Sequence, residues 1–523
     1  MTDTKNATTP VVATSLVLAC LAYAAIVYAT ATGASVLPVA AATTTTAARP
    51  LSRLSWSPCW SLVKDWRSDD TRSECTRVAV PLDHARPSGP TVDLLVSRIR
   101  ATDPARRQGV VLINPGGPGV PGAGMPAELS RSAVAGIGID HDLIGFDPRG
   151  VGHSDERSCP PDPADGDPLP AADLADAYRR EPLYRRLYDR QARYDQRCVA
   201  RDRAFVTALS TDVAAQDLDR IRIALGEEKI SYYGISWGTA LGAVYRSRYD
   251  QHVDRMLLDS VLPPDPGLEK LVDGMITANL AGISRFTDWV AARHGQYHLG
   301  RTGAEVTAAV TALARHLDAH PRTVTPPGRA PVAFTGDNLR NLVVLDQEEW
   351  AETAASIVAL RDGGVPTLLG ETVLDENSFA PSSLTQLAVL CNDQGAAPPV
   401  ETLWRALERK RAAVPLLNVT GDLQHWCAGW PLPAQPRVLR PGTSALQLVG
   451  HRDETTTPLS FAQDLQRRIG GVLLTVDDAE HGSLHRPVCG SKAVEFFRTG
   501  RTDDGACSGV RAPGGVASPR AGG

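Results

Sequence analysis

The pentapeptide Gly234-Ile235-Ser236-Trp237-Gly238 sets one serine between two glycines. Residues 229–233 before it have the composition of a short strand, and residues 239–245 after it that of a helix start. In that context the turn bends sharply and lifts the serine hydroxyl clear of the sheet, with a helix N-terminus beneath it to favour developing negative charge. Glycine-rich turns are common, so the pentapeptide without its context reads first as an ordinary turn. A serine hydroxyl is also a weak nucleophile until a base takes its proton. The chemistry is acyl transfer only if the chain supplies a base, an acid to orient it, and donors for an oxyanion.

In elbow-type sites the acid and then the base follow the serine. His481, in Asp477-Asp478-Ala479-Glu480-His481-Gly482, is the candidate base, ahead of the nearby His485. Asp453, in Gly450-His451-Arg452-Asp453, is favoured as the acid. Glu454 is its rival, because counting back from Thr457-Pro458 leads there. A lone loop histidine or carboxylate is more often a solvated surface group. Here each follows an apolar run, at the strand ends where such sites form. The oxyanion donors are expected from the loop Asn114-Pro115-Gly116-Gly117-Pro118-Gly119, around Gly117, and from the amide of Trp237.

The elements that must hold these residues alternate. Strands are expected at 76–82, 91–98, 109–114, 143–147, 229–233 and 253–259, with a helix at 212–225. Residues 109–114 form a continuous apolar run, as in a strand buried on both faces. The rhythm breaks from 266 to 435, where residues 268–294, 303–319 and 346–361 read as helices. It resumes with strands at 445–449 and 472–476 and helices at 461–469 and 493–498. Alternating strands and helices imply an α/β fold with a mostly parallel sheet flanked by helices. The interruption reads as an inserted, mostly helical cap. The division is 1–42 export segment, 43–50 linker, 51–265 and 436–508 core, 266–435 cap, and 509–523 disordered tail.

The 523 residues suffice for a large core, and a net charge of −5 gives no basic patch for nucleic acid. Residues 11–28 are uncharged, and small-residue sites at 29–31 and 40–42 suit cleavage of an export signal. The run also nears the length that spans a bilayer, so a retained membrane anchor is the alternative. Attachment through Cys20 is a weaker reading. Beyond Cys20 lie eight cysteines, an even number that suits an oxidising compartment. Sequence order suggests Cys59–Cys75, Cys159–Cys198, Cys391–Cys427 and Cys489–Cys507, each closing a short loop worth roughly 3 kcal/mol. No metal-ligand spacing occurs, and neither a metal nor a cofactor is expected.

Three segments together carry a family resemblance: residues 114–119, Asp147-Pro148-Arg149-Gly150-Val151-Gly152-His153-Ser154, and the pentapeptide around Ser236. They resemble the α/β-hydrolase peptidases of the proline iminopeptidase group, above all secreted actinobacterial tripeptidyl aminopeptidases. Cys391-Asn392-Asp393, Cys427-Ala428-Gly429-Trp430-Pro431 and the segment 489–507 extend the likeness over residues 56–507. The resemblance implies a secreted serine exopeptidase acting on peptides with free N-termini. It also implies a cap carboxylate for the substrate's α-ammonium, with Asp346, Glu348, Glu349 and Asp393 as candidates. Two departures stand out. Gly119-Val120-Pro121-Gly122 lacks the family's Ser-Gly, and the acid loop is one residue longer than usual. An esterase or lipase with the same three residues is the alternative.

Overall fold

The computed structural model describes residues 54–169, 173, 177–325, 331–343, 347–366, 368, 383–416 and 423–510. The expected export segment and linker, Asp346, and nearly all of the C-terminal tail lie outside the described residues. Among the described residues no helix is long and apolar enough to cross a membrane.

The strands are β1 (Ser57–Pro58), β2 (Glu74–Pro81), β3 (Thr91–Ile99), β4 (Gly109–Asn114), β5 (His141–Phe146), β6 (Ile230–Ile235), β7 (Val253–Asp259), β8 (Arg322–Val324), β9 (Val332–Phe334), β10 (Ala445–His451), β11 (Val472–Asp477) and β12 (Ala506–Ser508). Ten of them form one sheet in the order β1-β2-β3-β5-β4-β6-β7-β10-β11-β12. The first three pairings, β1 to β2, β2 to β3 and β3 to β5, are antiparallel. All later pairings are parallel. β6 therefore lies at the centre, with β4 on one side and β7 on the other.

The central strands are buried on both faces, which explains their apolar runs. Val110 and Leu112 of β4 join one core with Leu218 and Ile221 of the helix Thr211–Leu225 and Leu241 of the helix Trp237–Tyr249. Val111 and Ile113 alternate to the opposite core, against Leu129, Phe496 and Phe497. The helix Thr211–Leu225 begins where the Ser210 hydroxyl accepts the amide of Val213, and ends at Gly226 in the left-handed region.

Between β7 and β10 the chain forms the helices Leu268–Ala291, Gly303–Ala319, Gly336–Leu342, Trp350–Arg361, Leu384–Gln394 and Val400–Ala413. This stretch carries a core of its own, in which Phe286, Val290, Val310, Leu317, Phe334 and Trp350 are buried. The β8–β9 hairpin within it was not expected, because three-residue strands are too short to show a period of two. The helix expected at 346–361 starts at Trp350, after a single 3-10 turn at Gln347–Glu349.

Four cysteine pairs, Cys59–Cys75, Cys159–Cys198, Cys391–Cys427 and Cys489–Cys507, are joined as disulfides, with Cα separations of 4.7, 5.8, 5.3 and 6.2 Å. They match the local pairing expected from sequence order. One ties the central sheet's last strand, β12, to the helix Gly490–Thr499.

Candidate active site

Ser236 sits between β6 and the helix Trp237–Tyr249 with φ 56° and ψ −125°. A non-glycine residue there carries strain of about 1–3 kcal/mol, and its surroundings must hold it. They do so through the backbone: Ser236 N–H donates to the Asp259 carbonyl at 3.1 Å, and Thr239 N–H donates to the Ser236 carbonyl at 2.8 Å. The glycines of the pentapeptide are there for close approach. A β-carbon on Gly234 would meet the Gly238 carbonyl oxygen at 2.4 Å, and one on Gly238 would meet that of Asn114 at 2.6 Å.

The glycine loop after β4 folds directly onto the elbow. A β-carbon on Gly116, which has φ +105°, would lie 2.7 Å from the Ser236 Cβ and 3.0 Å from the Trp237 amide nitrogen. Trp237 opens its helix, so its amide has no carbonyl one turn earlier to bond. Gly117 follows immediately. The loop is pinned from below by Asp147, whose Oδ1 accepts the amides of Gly122 and Ala123 at 3.0 and 2.9 Å. Arg149, two residues on, is buried and forms a two-pronged pair with Asp217 at 2.7 and 2.6 Å. The motif 147–154 is thus a brace for the loop.

His481 and its carboxylate come from the loops after β11 and β10. His481 Nδ1 lies 2.5 Å from Glu454 Oε1. Burial disfavours the imidazolium, but Glu454 outweighs it and raises the His481 pKa above the ordinary histidine value. About a third of the His481 side chain is exposed while Glu454 is almost wholly shielded, so the imidazole can be reached and its partner cannot. Glu454 is saturated: Oε1 also accepts the Thr457 amide and hydroxyl at 3.0 and 2.5 Å, and Oε2 accepts the Ser260 hydroxyl at 2.9 Å. Ser260 Oγ in turn accepts the Gly482 amide at 2.7 Å. A β-carbon on Gly482 would meet Ile235 Cγ2 at 2.7 Å, so the histidine loop rests on the residue before Ser236.

Asp453, the acid favoured from sequence, is not the residue against His481. Its Oδ1 is 3.2 Å from Arg285 of the helix Leu268–Ala291, and the same guanidinium donates to its carbonyl at 2.9 Å. The reason is local. β10 runs on to His451 instead of stopping at Val449, and the Asp453 amide still bonds the neighbouring chain at the Asp478 carbonyl. The turn therefore begins later, and the carboxylate facing His481 is the one three residues before Thr457. His485 has no carboxylate partner among the described residues, and its Nδ1 is buried without a hydrogen bond.

Asp393 does not face open space either. Its carboxylate accepts the Thr211 amide and hydroxyl at 3.0 and 2.6 Å, with Arg437 Nε 3.6 Å away. Thr211 Oγ1 then accepts the indole N–H of Trp237 at 3.1 Å. Both oxygens are committed to a buried brace under the elbow. Sequence reasoning missed this relay because its members lie 26 and 182 residues apart. Glu349 is half-buried, and the side chain of Glu348 lies outside what is described.

A cavity lies between the inserted helices and the acid loop. Asn279 and Arg285 line it from one side, Gln347 and Trp350 from another, and Asp453 and Ala479 from the core. Among the described residues no cluster of three or more histidine, cysteine or acidic side chains could hold a metal ion.

A family model described as the alpha/beta hydrolase fold matches residues 109–485, from β4 to the histidine loop. The chain belongs to the α/β-hydrolase family. Within that family this α/β hydrolase is similar over nearly its whole length to a tripeptidyl aminopeptidase of Streptomyces lividans, at 32% identity over 86% of this chain and 85% of the relative. It is 28% identical to serine protease Hip1 of Mycobacterium tuberculosis, over 82% of this chain and 85% of that one. It is also 30% identical to carboxylesterase B of the same organism, over 82% and 84%. As an α/β hydrolase with these relatives the protein is a serine hydrolase.

Proposed function

We propose that the protein is an exported serine peptidase that removes short peptides or single residues from free N-termini, through an acyl-enzyme on Ser236. The observation that carries the catalytic part is the Glu454–His481 pair, whose histidine loop is seated against the Ser236 elbow. Similarity to a tripeptidyl aminopeptidase and to a serine protease favours peptides as substrates.

His481 Nε2 takes the Ser236 proton as Oγ attacks the scissile carbonyl carbon, while Glu454 holds the ring and stabilises the imidazolium. The oxyanion is received by the amides of Trp237 and Gly117, each donor worth about 2.7–4 kcal/mol in the barrier. His481 returns the proton to the departing amine as the C–N bond breaks. Water then attacks the ester, giving its proton to His481, and Ser236 Oγ leaves reprotonated.

The inserted helices act as the cap. Gln347 and Trp350, which line the cavity beside the acid loop, flank Glu348 and Glu349 in sequence. That position favours these two carboxylates as ligands of the substrate ammonium. Export agrees with the four disulfides. The N-terminal run would be cleaved, or retained as the only membrane attachment.

The test is a digest of a peptide library, with free and acetylated N-termini, by the mature enzyme. Release of N-terminal fragments only from free peptides is expected, and equal cleavage of blocked peptides would overturn the exopeptidase reading. The carboxylesterase B relative supports a second reading, an esterase using the same residues. Turnover of acyl esters without turnover of matched tripeptidyl amides would establish that reading instead.

A further inference from the structure

Behind the catalytic pair a second histidine is enclosed completely. His451, the last residue of β10, has no exposed side-chain surface. Its Nε2 lies 2.8 Å from Asp259 Oδ1 and its Nδ1 2.7 Å from Asp478 Oδ1. A neutral imidazole carries one N–H and so can donate to only one carboxylate. Both carboxylates also accept bonds at their other oxygen. Asp259 Oδ2 accepts the Tyr233 hydroxyl and the Leu484 amide at 3.3 Å each, and Asp478 Oδ2 accepts the Ser483 hydroxyl at 2.6 Å and the Val510 amide at 3.0 Å. With donors already on the outer oxygens, a ring that carries both N–H groups satisfies the two inner ones.

The two carboxylates belong to the two halves of the site. Asp259 ends β7 opposite Ile235, and its carbonyl holds the Ser236 amide. Asp478 stands three residues before His481, and its carbonyl accepts the Asp453 amide in the acid loop. We propose that His451 is a positioning residue: a buried imidazolium that ties the strand end holding Ser236 to the loop holding His481. The proposal rests on Ser236 and His481 being nucleophile and base.

Its charge has a consequence at the base. The groups around His451 are Asp259 of β7, which also holds the Tyr233 hydroxyl of β6, Asp478 and Ser483 from the histidine loop, and Glu454 and His481 from the catalytic pair. Burial acts to strip the His451 proton, but the carboxylates outweigh it and hold its pKa well above the histidine range. The cation in turn opposes a proton on His481. Replacing His451 by a neutral side chain lets His481 keep its proton to higher pH. The limb of activity that requires neutral His481 then moves upward.

The test has two arms on the full mature chain. Nitrogen-15 spectra of the histidine-labelled wild-type protein at pH 8 are expected to show one doubly protonated ring, which a singly protonated His451 would contradict. The signal is assigned by its loss in His451→Gln, or in His451→Asn if the first does not fold. In the same variant the rate of Ser236 labelling by an organophosphonate is expected to fall at least about tenfold, and its acid limb to move up by roughly half a unit or more. A variant that loses thermal stability but keeps the wild-type limb and labelling rate would reduce His451 to a structural residue. Absence of labelling in the wild type would sink the serine-hydrolase mechanism instead, and the spectra would still decide the state of His451.

Discussion

Glu454 Oε1 and His481 Nδ1 lie 2.5 Å apart, and the same oxygen also accepts the hydroxyl and amide of Thr457. Glu454 is thus fastened within its own turn as well as to His481. The neighbouring Asp453 is paired instead with Arg285. Glu454→Gln is expected to lower kcat by roughly 10²–10⁴-fold. Asp453→Asn keeps kcat within about tenfold of wild type. The reverse order of damage in steady-state kinetics would return the role to Asp453.

The pH dependence follows from His481. Glu454 raises its pKa against the effect of burial, and the base must be neutral to act. The acid limb of kcat/KM is therefore expected above the ordinary histidine value of about 6.5. In Glu454→Gln that support is lost and the limb should fall. A wild-type limb below 6.5 would count against this pair. The sign for stability is opposite. A raised histidine pKa stabilises the fold fully below about 6.5, and the contribution fades as pH rises through the folded value.

Gly116 is where the oxyanion loop has no room. A methyl group there would stand 2.6 Å from the Ile235 carbonyl oxygen and 2.7 Å from the Ser236 Cβ, on a backbone with φ +105°. Gly116→Ala is expected to cut kcat by about 10²-fold or more, by displacing one oxyanion donor, and to lower Tm. Near-wild-type turnover in that variant would show that the loop is not held against the elbow.

Asp393 tests the relay beneath Trp237. Its carboxylate is buried and bonded to Thr211, which holds the indole of Trp237. Asp393→Ala is expected to cost about 1–3 kcal/mol of stability in denaturant titrations. The ratio of kcat/KM for free over acetylated N-termini should stay the same. A collapse of that ratio with stability intact would restore Asp393 as the ammonium ligand.

Asp250 is expected to contribute to acid tolerance. Burial opposes its charge, but the hydroxyl and amide groups of Ser444 and Thr443 bind it and lower its pKa to about 2. A depressed carboxylate stabilises the fold above its unfolded pKa of about 3.9, on the order of 2 kcal/mol, and loses that effect as pH falls towards 2. Asp250→Asn is expected to be less stable than wild type at pH 7, with the gap narrowing by pH 2.5. A gap that stayed constant with pH would remove Asp250 from the account.

Most of the α/β core was legible because its central strands are buried on both faces. Residues 109–114, 253–259 and 472–476 read as strands and lie in β4, β7 and β11. The helix at 303–319 matches too, since its apolar face recurs at helical spacing. The helices Glu181–Arg201, Leu384–Gln394 and Val400–Ala413 were not read. Two of them lie in the insertion, where the loss of strand alternation left no rhythm to place them against. The brace role of Asp147 and Arg149 was equally hidden, because its partners lie at Gly122, Ala123 and Asp217.

Sequence by itself located the turn around Ser236, the glycine loop after β4 and the loop that carries His481. Each follows from local rules: a glycine where a β-carbon cannot fit, and a polar loop after a buried strand. Only the tertiary structure decided which carboxylate meets His481, that Asp393 faces inward, and that His451 is clasped between Asp259 and Asp478. Adjacent residues such as Asp453 and Glu454 differ in direction, not composition. That direction is set by where β10 stops and by which chain packs against each side.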